Sequence, residues 1–297
     1  MKNPPFNIMI CALLALIAFA GNSILCRLAL GTTSIDPASF TAIRLLSGAI
    51  TLLAIVLISK QTKQTNQTKK TQSKGSWLAA SMLFLYAVSF SYGYISLDTG
   101  TGALILFGAV QISMIIINVI LGNRLHYAEW FGLCLAFSGF VYLIIPRLTT
   151  PSLLGFILMS VAGLAWGIYT LVGKASAQAL NDTAYNFLRT IPMLFVLVIF
   201  TFEEANITLD GVLLAIVSGA ITSGLGYAVW YIALGGLTVT QSAVIQLLVP
   251  IIAALGGVIF THEVITLRLL ESSGLVLGGI LIVILSKKLT LSSTHKA

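Results

Sequence analysis

Ten stretches of the chain stay mostly apolar over about 20 residues, the length a helix needs to cross bilayer hydrocarbon. They are 7–30, 37–58, 76–96, 101–121, 128–146, 152–174, 183–202, 210–234, 239–260 and 267–286. Polar positions fall between them in short connections, with one long exception at 60–74. The pattern predicts an all-α, polytopic membrane protein with ten transmembrane helices. At the start, Lys2, the apolar 8–17 and "AFA" at 18–20 have the form of a signal peptide. The apolar run continues past that cleavage site to Leu30, and a matching helix recurs later, so the first span is read as retained.

Composition supports the same class. Of 297 residues, 58% are hydrophobic and 8% charged, and mean hydropathy is +1.01, so little chain is left for a soluble domain. Cys11, Cys26 and Cys134 lie inside predicted spans without paired or metal-ligand spacing and read as small packing residues. The formal charge of +7 marks orientation rather than nucleic-acid binding, because the basic residues are not gathered on one polar face. The stretch "KQTKQTNQTKKTQSK" at 60–74 carries five lysines and no acid. Basic connections stay cytoplasmic, which predicts that both termini are cytoplasmic in a multi-pass protein of the inner (plasma) membrane. Arg124, Lys174, Lys287, Lys288 and Lys296 then fall inside. Asp36, Asp98, Glu203, Glu204, Asp210 and Glu263 fall outside, with Arg27, Arg147 and Arg268 as basic exceptions.

The two halves resemble each other. "YISL" at 94–97 and "YIAL" at 231–234 each precede an apolar stretch, and each is followed later by E-x-x-G-L, at Glu129 to Leu133 and Glu271 to Leu275. "FAGNSILCRLAL" at 19–30 matches "WGIYTLVGKASA" at 166–177, and "FTAIR" ending at Arg44 matches "YNFLR" ending at Arg189, in the same order. Five spans per half is an odd number, so the second copy enters the membrane from the opposite side. The reading is two inverted five-helix repeats, 1–146 and 147–297, with a substrate site near mid-membrane where they meet.

These features together resemble the EamA branch of the drug/metabolite transporter superfamily, in the first-helix pattern ending in Arg or Lys, the Arg in the second helix, and the "GNRL" and "THEV" connections after the fourth helix of each repeat. The resemblance covers nearly the whole chain and implies a transporter fold, with a cargo that varies across the branch. The repeats depart from the family's usual Pro and "GER"-like turn, with Ser113 and "GNR" in the first against Pro250 and "THEV" in the second.

Chemistry must come from polar and aromatic residues inside the spans, since an unsatisfied polar group in hydrocarbon is costly and turns to an interior cavity. Gln111, Trp166, Tyr169 and Gln246 are the first candidates for substrate binding, followed by Asn22, Tyr86, Asn118, Tyr227 and Trp230. Tyr92, Tyr94 and Tyr231 read as interfacial belt residues. Arg44 and Arg189 lie about 10–12 Å along their helices from a preceding Asp, at a depth that suits either a structural, snorkelling role or carboxylate binding. Arg268 and Glu271 read as a local ion pair. Pro250 and Pro192 are candidate hinges or static bends.

His126, His262 and His295 are scattered, and neither a phosphate loop nor a hydrolytic constellation is present, so no enzyme, metal or cofactor is expected. The expected function is a secondary transporter, an exporter of small metabolites such as amino acids, working by alternating access. A sugar or nucleotide-sugar carrier and a non-transporting membrane scaffold are the other readings. Expected partners are a small-molecule substrate and the lipid bilayer, with no nucleic acid; the oligomeric state is open, with a monomer favoured.

Overall fold

The computed structural model describes residues 6–62, 74–120, 122, 127–144, 151–174, 176, 178–237 and 245–294. Outside them lie most of the basic connection 60–74, residues 123–126 of the "GNRL" connection, Gln241, Lys2, Arg147 and Lys296. Asn118, Lys174, Lys287 and Lys288 are described by backbone alone.

Helix occupies each of the ten predicted stretches. In chain order these are α1 Phe6–Gly31, α2 Pro37–Thr62, α3 Trp77–Tyr94, α4 Thr99–Ile120, α5 Tyr127–Ile144, α6 Leu153–Lys174, α7 Ala179–Arg189 with α8 Ile191–Thr201, α9 Leu209–Val217 with α10 Gly226–Gly236, α11 Val249–Phe260 and α12 Leu267–Thr294. Seven helical stretches, two of them the composite α7–α8 and α9–α10, are both long and apolar enough to cross a membrane, which makes the chain a multi-pass membrane protein. The remaining three fall short for visible reasons. α3 has 18 residues and carries Ser81, Ser89, Ser91 and three tyrosines, while α5 and α11 contribute only shorter apolar segments, Tyr127–Leu143 and Val249–Phe260.

Local sequence sets where the helices begin. Asp36 precedes Pro37, and its carboxylate accepts the Ser39 N–H at 2.8 Å, so α2 opens on an Asp cap with proline at its first position. Ser76 caps α3 by accepting the Ala79 N–H at 3.0 Å, and Thr208 caps α9 through the Gly211 N–H at 3.2 Å. The polarity of the fold is that of a protein in lipid. Leu14, Ile50, Leu57, Phe195 and Phe200 are exposed, whereas Asn22, Arg44, Thr41, Ser91, Gln111 and Thr183 are buried.

α9 and α10 are joined by a π-helical segment, Ser218–Leu225. Wider helical turns of this kind are rare and frequently stand at functional sites, and α2 packs against this one. Gly48 and Gly219 let the two backbones approach: a Cβ on Gly48 would stand 2.7 Å from the Phe187 ring and 3.2 Å from the Gly219 carbonyl, and one on Gly219 would collide with Ser47 and the Arg44 carbonyl. α6 packs on α3 and α4, α1 packs on α10 and α11, α2 on α7 and the π segment, and α5 on α12.

The prolines sit at helix starts. Pro250 is in the first turn of α11, where the absent N–H has no intrahelical partner to lose, so the ninth stretch is not kinked in mid-helix there. Pro192 opens α8 just after the break at Thr190, as expected where proline withholds a ladder bond. The Thr190 N–H donates to the Asn186 and Phe187 carbonyls at 3.2 and 3.1 Å, and its hydroxyl donates to the Phe187 carbonyl at 2.7 Å.

Candidate functional site

Aromatic rings from both halves of the chain meet in the middle of the bundle. α1 supplies Phe19, whose ring meets Trp166 of α6 edge-on at 6.3 Å, Tyr227 of α10 at 5.9 Å and Trp230 at 5.7 Å. Trp166 lies 4.9 Å from Tyr86 of α3, 5.0 Å from Tyr227, and stacks on Tyr169 at 5.4 Å. The rings surround a void of about 10 Å³, lined by Phe19, Asn22, Tyr86 and Phe90 with Leu106 and Phe107 of α4 from the first half, and by Trp166, Thr222 and Tyr227 from the second. A space of that size holds at most about one water molecule.

Asn22 ties the polar edge of the void together. Its amide donates to the Tyr86 hydroxyl at 3.3 Å, and its carbonyl oxygen accepts from Ser218 at 2.6 Å. Thr222 lies 3.4 Å from that oxygen and donates to the Ser218 carbonyl at 2.7 Å. One amide thereby links α1, α3 and the π segment, so the ring lining the void and the interrupted helix are positioned by the same group.

Of the nine substrate-binding candidates, the void therefore gathers Trp166, Asn22, Tyr86 and Tyr227. Tyr169 and Trp230 are buried one shell behind, against Trp166 and Phe19. The Tyr169 hydroxyl donates to Thr183 at 3.3 Å, and Thr183 donates to Tyr231 at 3.1 Å. Gln111 is buried on α4 and Gln246 half-buried before α11, both off the lining. Phe19, Phe90, Leu106, Phe107 and Thr222 were missed by the sequence reading. The leucine and the three phenylalanines look like any apolar residue of a span; Thr222 carried a weak signal in the polar, Gly-rich "SGAITSG" around it.

The two matched arginines do different things. Arg189 is half-buried; it donates to the Lys74 carbonyl and sits over the Trp77 ring at 5.6 Å, pinning the start of α3. Arg44 is 1% exposed. Its guanidinium carbon lies 5.3 Å from the Tyr86 ring centre and 4.9 Å from that of Phe90, while Nε and Nη1 find no hydrogen-bond acceptor. Desolvating a charge costs several kcal/mol and a desolvated cation–π contact returns about 2 kcal/mol, so two ring faces offset the burial only in part.

At one end of the bundle Arg27 of α1 bridges two acids, Glu263 at 3.1 Å and Asp98 at 3.4 Å, and donates to the Tyr94 and Ile95 carbonyls at 3.1 and 3.3 Å. Glu263 also accepts the Thr99 N–H at 2.8 Å and its hydroxyl at 3.1 Å. At the same end, Ile35 pairs with Ile207. The opposite end is tied where Asp182 and Asn186 accept the N–H groups of Gly75 and Ser76 at 2.8 and 2.9 Å. Arg27 stood out in the sequence as a basic residue on the acidic side; its two carboxylate partners explain the exception. Arg268 and Glu271 both lean on Tyr142, Arg268 at 5.7 Å over its ring and Glu271 as acceptor of its hydroxyl. Among the described residues no group of three or more His, Cys, Asp or Glu side chains is placed to hold a metal ion.

The model of the EamA-like transporter family matches the chain twice, over residues 6–145 and 153–285. An uncharacterized protein of Pseudomonas aeruginosa is 42% identical over 281 residues, covering 95% of this chain and 96% of the relative. The uncharacterized transporter YoaV of Bacillus subtilis is 22% identical, covering 84% and 88%. A solved crystal structure shares the fold at a TM-score of 0.62 and 18% identity, over 92% of this chain and 96% of that one. With the family model spanning almost every helix of a multi-pass bundle, the chain belongs to the EamA-like transporter family, within the drug/metabolite transporter superfamily.

Proposed function

We propose that the protein is an inner-membrane exporter of small metabolites such as amino acids, working by alternating access between two inverted five-helix repeats, 1–146 and 147–297, that together supply ten membrane spans. The observation that carries the reading is the aromatic void at the junction of the halves, with Phe19, Asn22 and Tyr86 from one and Trp166, Thr222 and Tyr227 from the other. Carriers built from inverted repeats hold their solute at that junction, and an apolar hollow with a few hydrogen-bonding groups suits a small amphiphilic solute.

Packing supports the repeat. α6 lies on α3 and α4 as α1 lies on α10 and α11, while α2 with α7, α4 with α11 and α5 with α12 pair across the halves. Exchanging the halves carries each of these contacts into another of the set or into itself, as a two-fold axis would. Both ends of the bundle are tied, through Arg27 at one and Asp182 at the other, and a void of about 10 Å³ fits a carrier closed at both ends without cargo. A sealed, non-transporting bundle would have an equally small void; membership of a transporter family weighs against that reading.

The test is counterflow in proteoliposomes with a panel of labelled amino acids. Exchange of at least one of them above protein-free vesicles is expected. A folded protein that exchanges none removes the reading, and exchange of sugars in their place redirects it.

A further inference from the structure

We infer that Arg44 is the anion-binding side chain of the transport site, so that the carried solute presents a single carboxylate to its guanidinium and lays its apolar part against Phe19, Trp166 and Tyr227. The inference rests on the proposal that the central void is the solute site.

Arg44 is among the largest fully buried side chains of the protein, at 1% exposure. Cations buried in this way are paired or hydrogen-bonded, yet Nε and Nη1 have no acceptor. All nine acidic residues of the chain are among the described ones, and none of them is found in an ion pair with Arg44, whereas Arg27 holds both Asp98 and Glu263. Two aromatic rings face the guanidinium, Tyr86 at 5.3 Å and Phe90 at 4.9 Å, and both also line the void. The same two rings thus touch both a cation with two unpaired nitrogens and the place where a solute would sit. Tyr86 is held at its hydroxyl by the 3.3 Å bond from Asn22; turning its ring opens the guanidinium to the void and leaves Asn22 free to bond the solute.

A purely structural arginine would use its donors as Arg189 does, on the Lys74 carbonyl at the start of α3. The chemistry also fixes the anionic group of the ligand. One guanidinium pairs with one carboxylate, whose planar oxygens match its fork, while the ammonium of an amino acid is left to the ring faces and the neutral oxygens around Asn22. A phosphate or nucleotide, with two charges or more, would leave charge unbalanced in a dry site.

The test compares 3-phenylpropionate with its amide, 3-phenylpropanamide, binding to the full chain in nanodiscs, by equilibrium dialysis and by the shift in thermal unfolding. The acid is expected to bind roughly 10- to 100-fold tighter than the amide, the value of a charge-assisted hydrogen bond. Arg44→Gln erases the preference and leaves amide affinity within about threefold; Arg44→Lys keeps part of it; Arg189→Gln keeps all of it. Equal binding of acid and amide by the unmodified protein overturns the role of Arg44 while leaving the solute site standing. Binding of neither, together with absence of counterflow, removes the site and the inference with it. The acid-to-amide comparison needs no variant, so misfolding of Arg44→Gln does not shelter the inference.

Discussion

Arg27 on the first helix and Glu263 in the connection between α11 and α12 form an ion pair at 3.1 Å across the two halves of the chain. The same carboxylate holds the first residue of α4, Thr99, through both its N–H and its hydroxyl. Three helical elements are thus fastened at one end of the bundle by a single acid. Side-chain exposures of 21% and 13% put the pair between a surface bridge and a buried one, worth about 1–2 kcal/mol. Glu263→Gln is expected to favour the state open at that end by roughly 5- to 30-fold. A cysteine placed at Asp98 in a chain lacking its three native cysteines should then react faster with a membrane-impermeant maleimide. An unchanged labelling rate would show that the pair does not hold the end closed.

Trp166 touches Phe19, Tyr86, Tyr169 and Tyr227, so it is the ring on which the largest part of the central cluster leans. Trp166→Ala removes those contacts and leaves a cavity, at a cost of about 3–5 kcal/mol. Trp166→Phe retains a flat apolar face. The expectation is a large fall in thermal stability for the alanine variant, a modest one for phenylalanine, and counterflow that survives only with phenylalanine. If the alanine variant stays folded and exchanges solute at the original rate, Trp166 is packing and not part of the site.

The glycines separate into close contacts and open positions, a distinction absent from the sequence. Gly219 sits over the Arg44 carbonyl and Ser47 with no room for a methyl group, whereas a Cβ on Gly274 or Gly278 meets nothing within 4 Å. Gly219→Ala must push the π segment off α2, and overpacking of this kind costs about 1–3 kcal/mol. Gly274→Ala is expected to change stability by less than about 0.5 kcal/mol. Thermal unfolding of the two purified variants checks both, and equal midpoints would contradict the close approach of α2 to the π segment. The small-residue spacing "GLVLG" at 274–278 thus marks open surface. The tight contact of that helix lies at Gly279, where a Cβ would stand 2.5 Å from the Gly132 carbonyl.

The helices were legible because each apolar stretch is its own signal, requiring no knowledge of its neighbours. The candidate site was legible in part. Asn22, Tyr86, Trp166 and Tyr227 advertise themselves as polar or amphipathic groups in a span, and the void gathers all four. Depth alone cannot say which way a side chain turns. Gln111 has the same credentials and lies off the lining, Phe19 has none and lies at its centre. Tyr94 reads as a belt residue from its position near a helix end, yet it is fully buried and its hydroxyl donates to the Thr99 carbonyl at 3.3 Å. Arg44 and Arg189 occupy matching places in the two halves, and their difference comes from what packs against them, two rings in one case and a loop carbonyl in the other.

Pro192 and Pro250 offered the same alternatives, hinge or static bend, and the local bonding leads to the same expectation for both, for different reasons. Pro250 stands in the first turn of α11, where alanine restores no essential bond and removes no kink; Pro250→Ala is expected to leave counterflow within about twofold and stability within about 1 kcal/mol. Pro192 lies two residues beyond Thr190, whose N–H and hydroxyl both serve the Phe187 carbonyl across the break. A bend bonded in this way is fixed rather than loose, so Pro192→Ala should also preserve transport. Thr190→Ala, which takes away the buried hydroxyl at 2.7 Å from that carbonyl, should cost about 1 kcal/mol in thermal unfolding. A loss of transport of tenfold or more in Pro192→Ala, with stability unchanged, would instead make the α7–α8 break a moving joint.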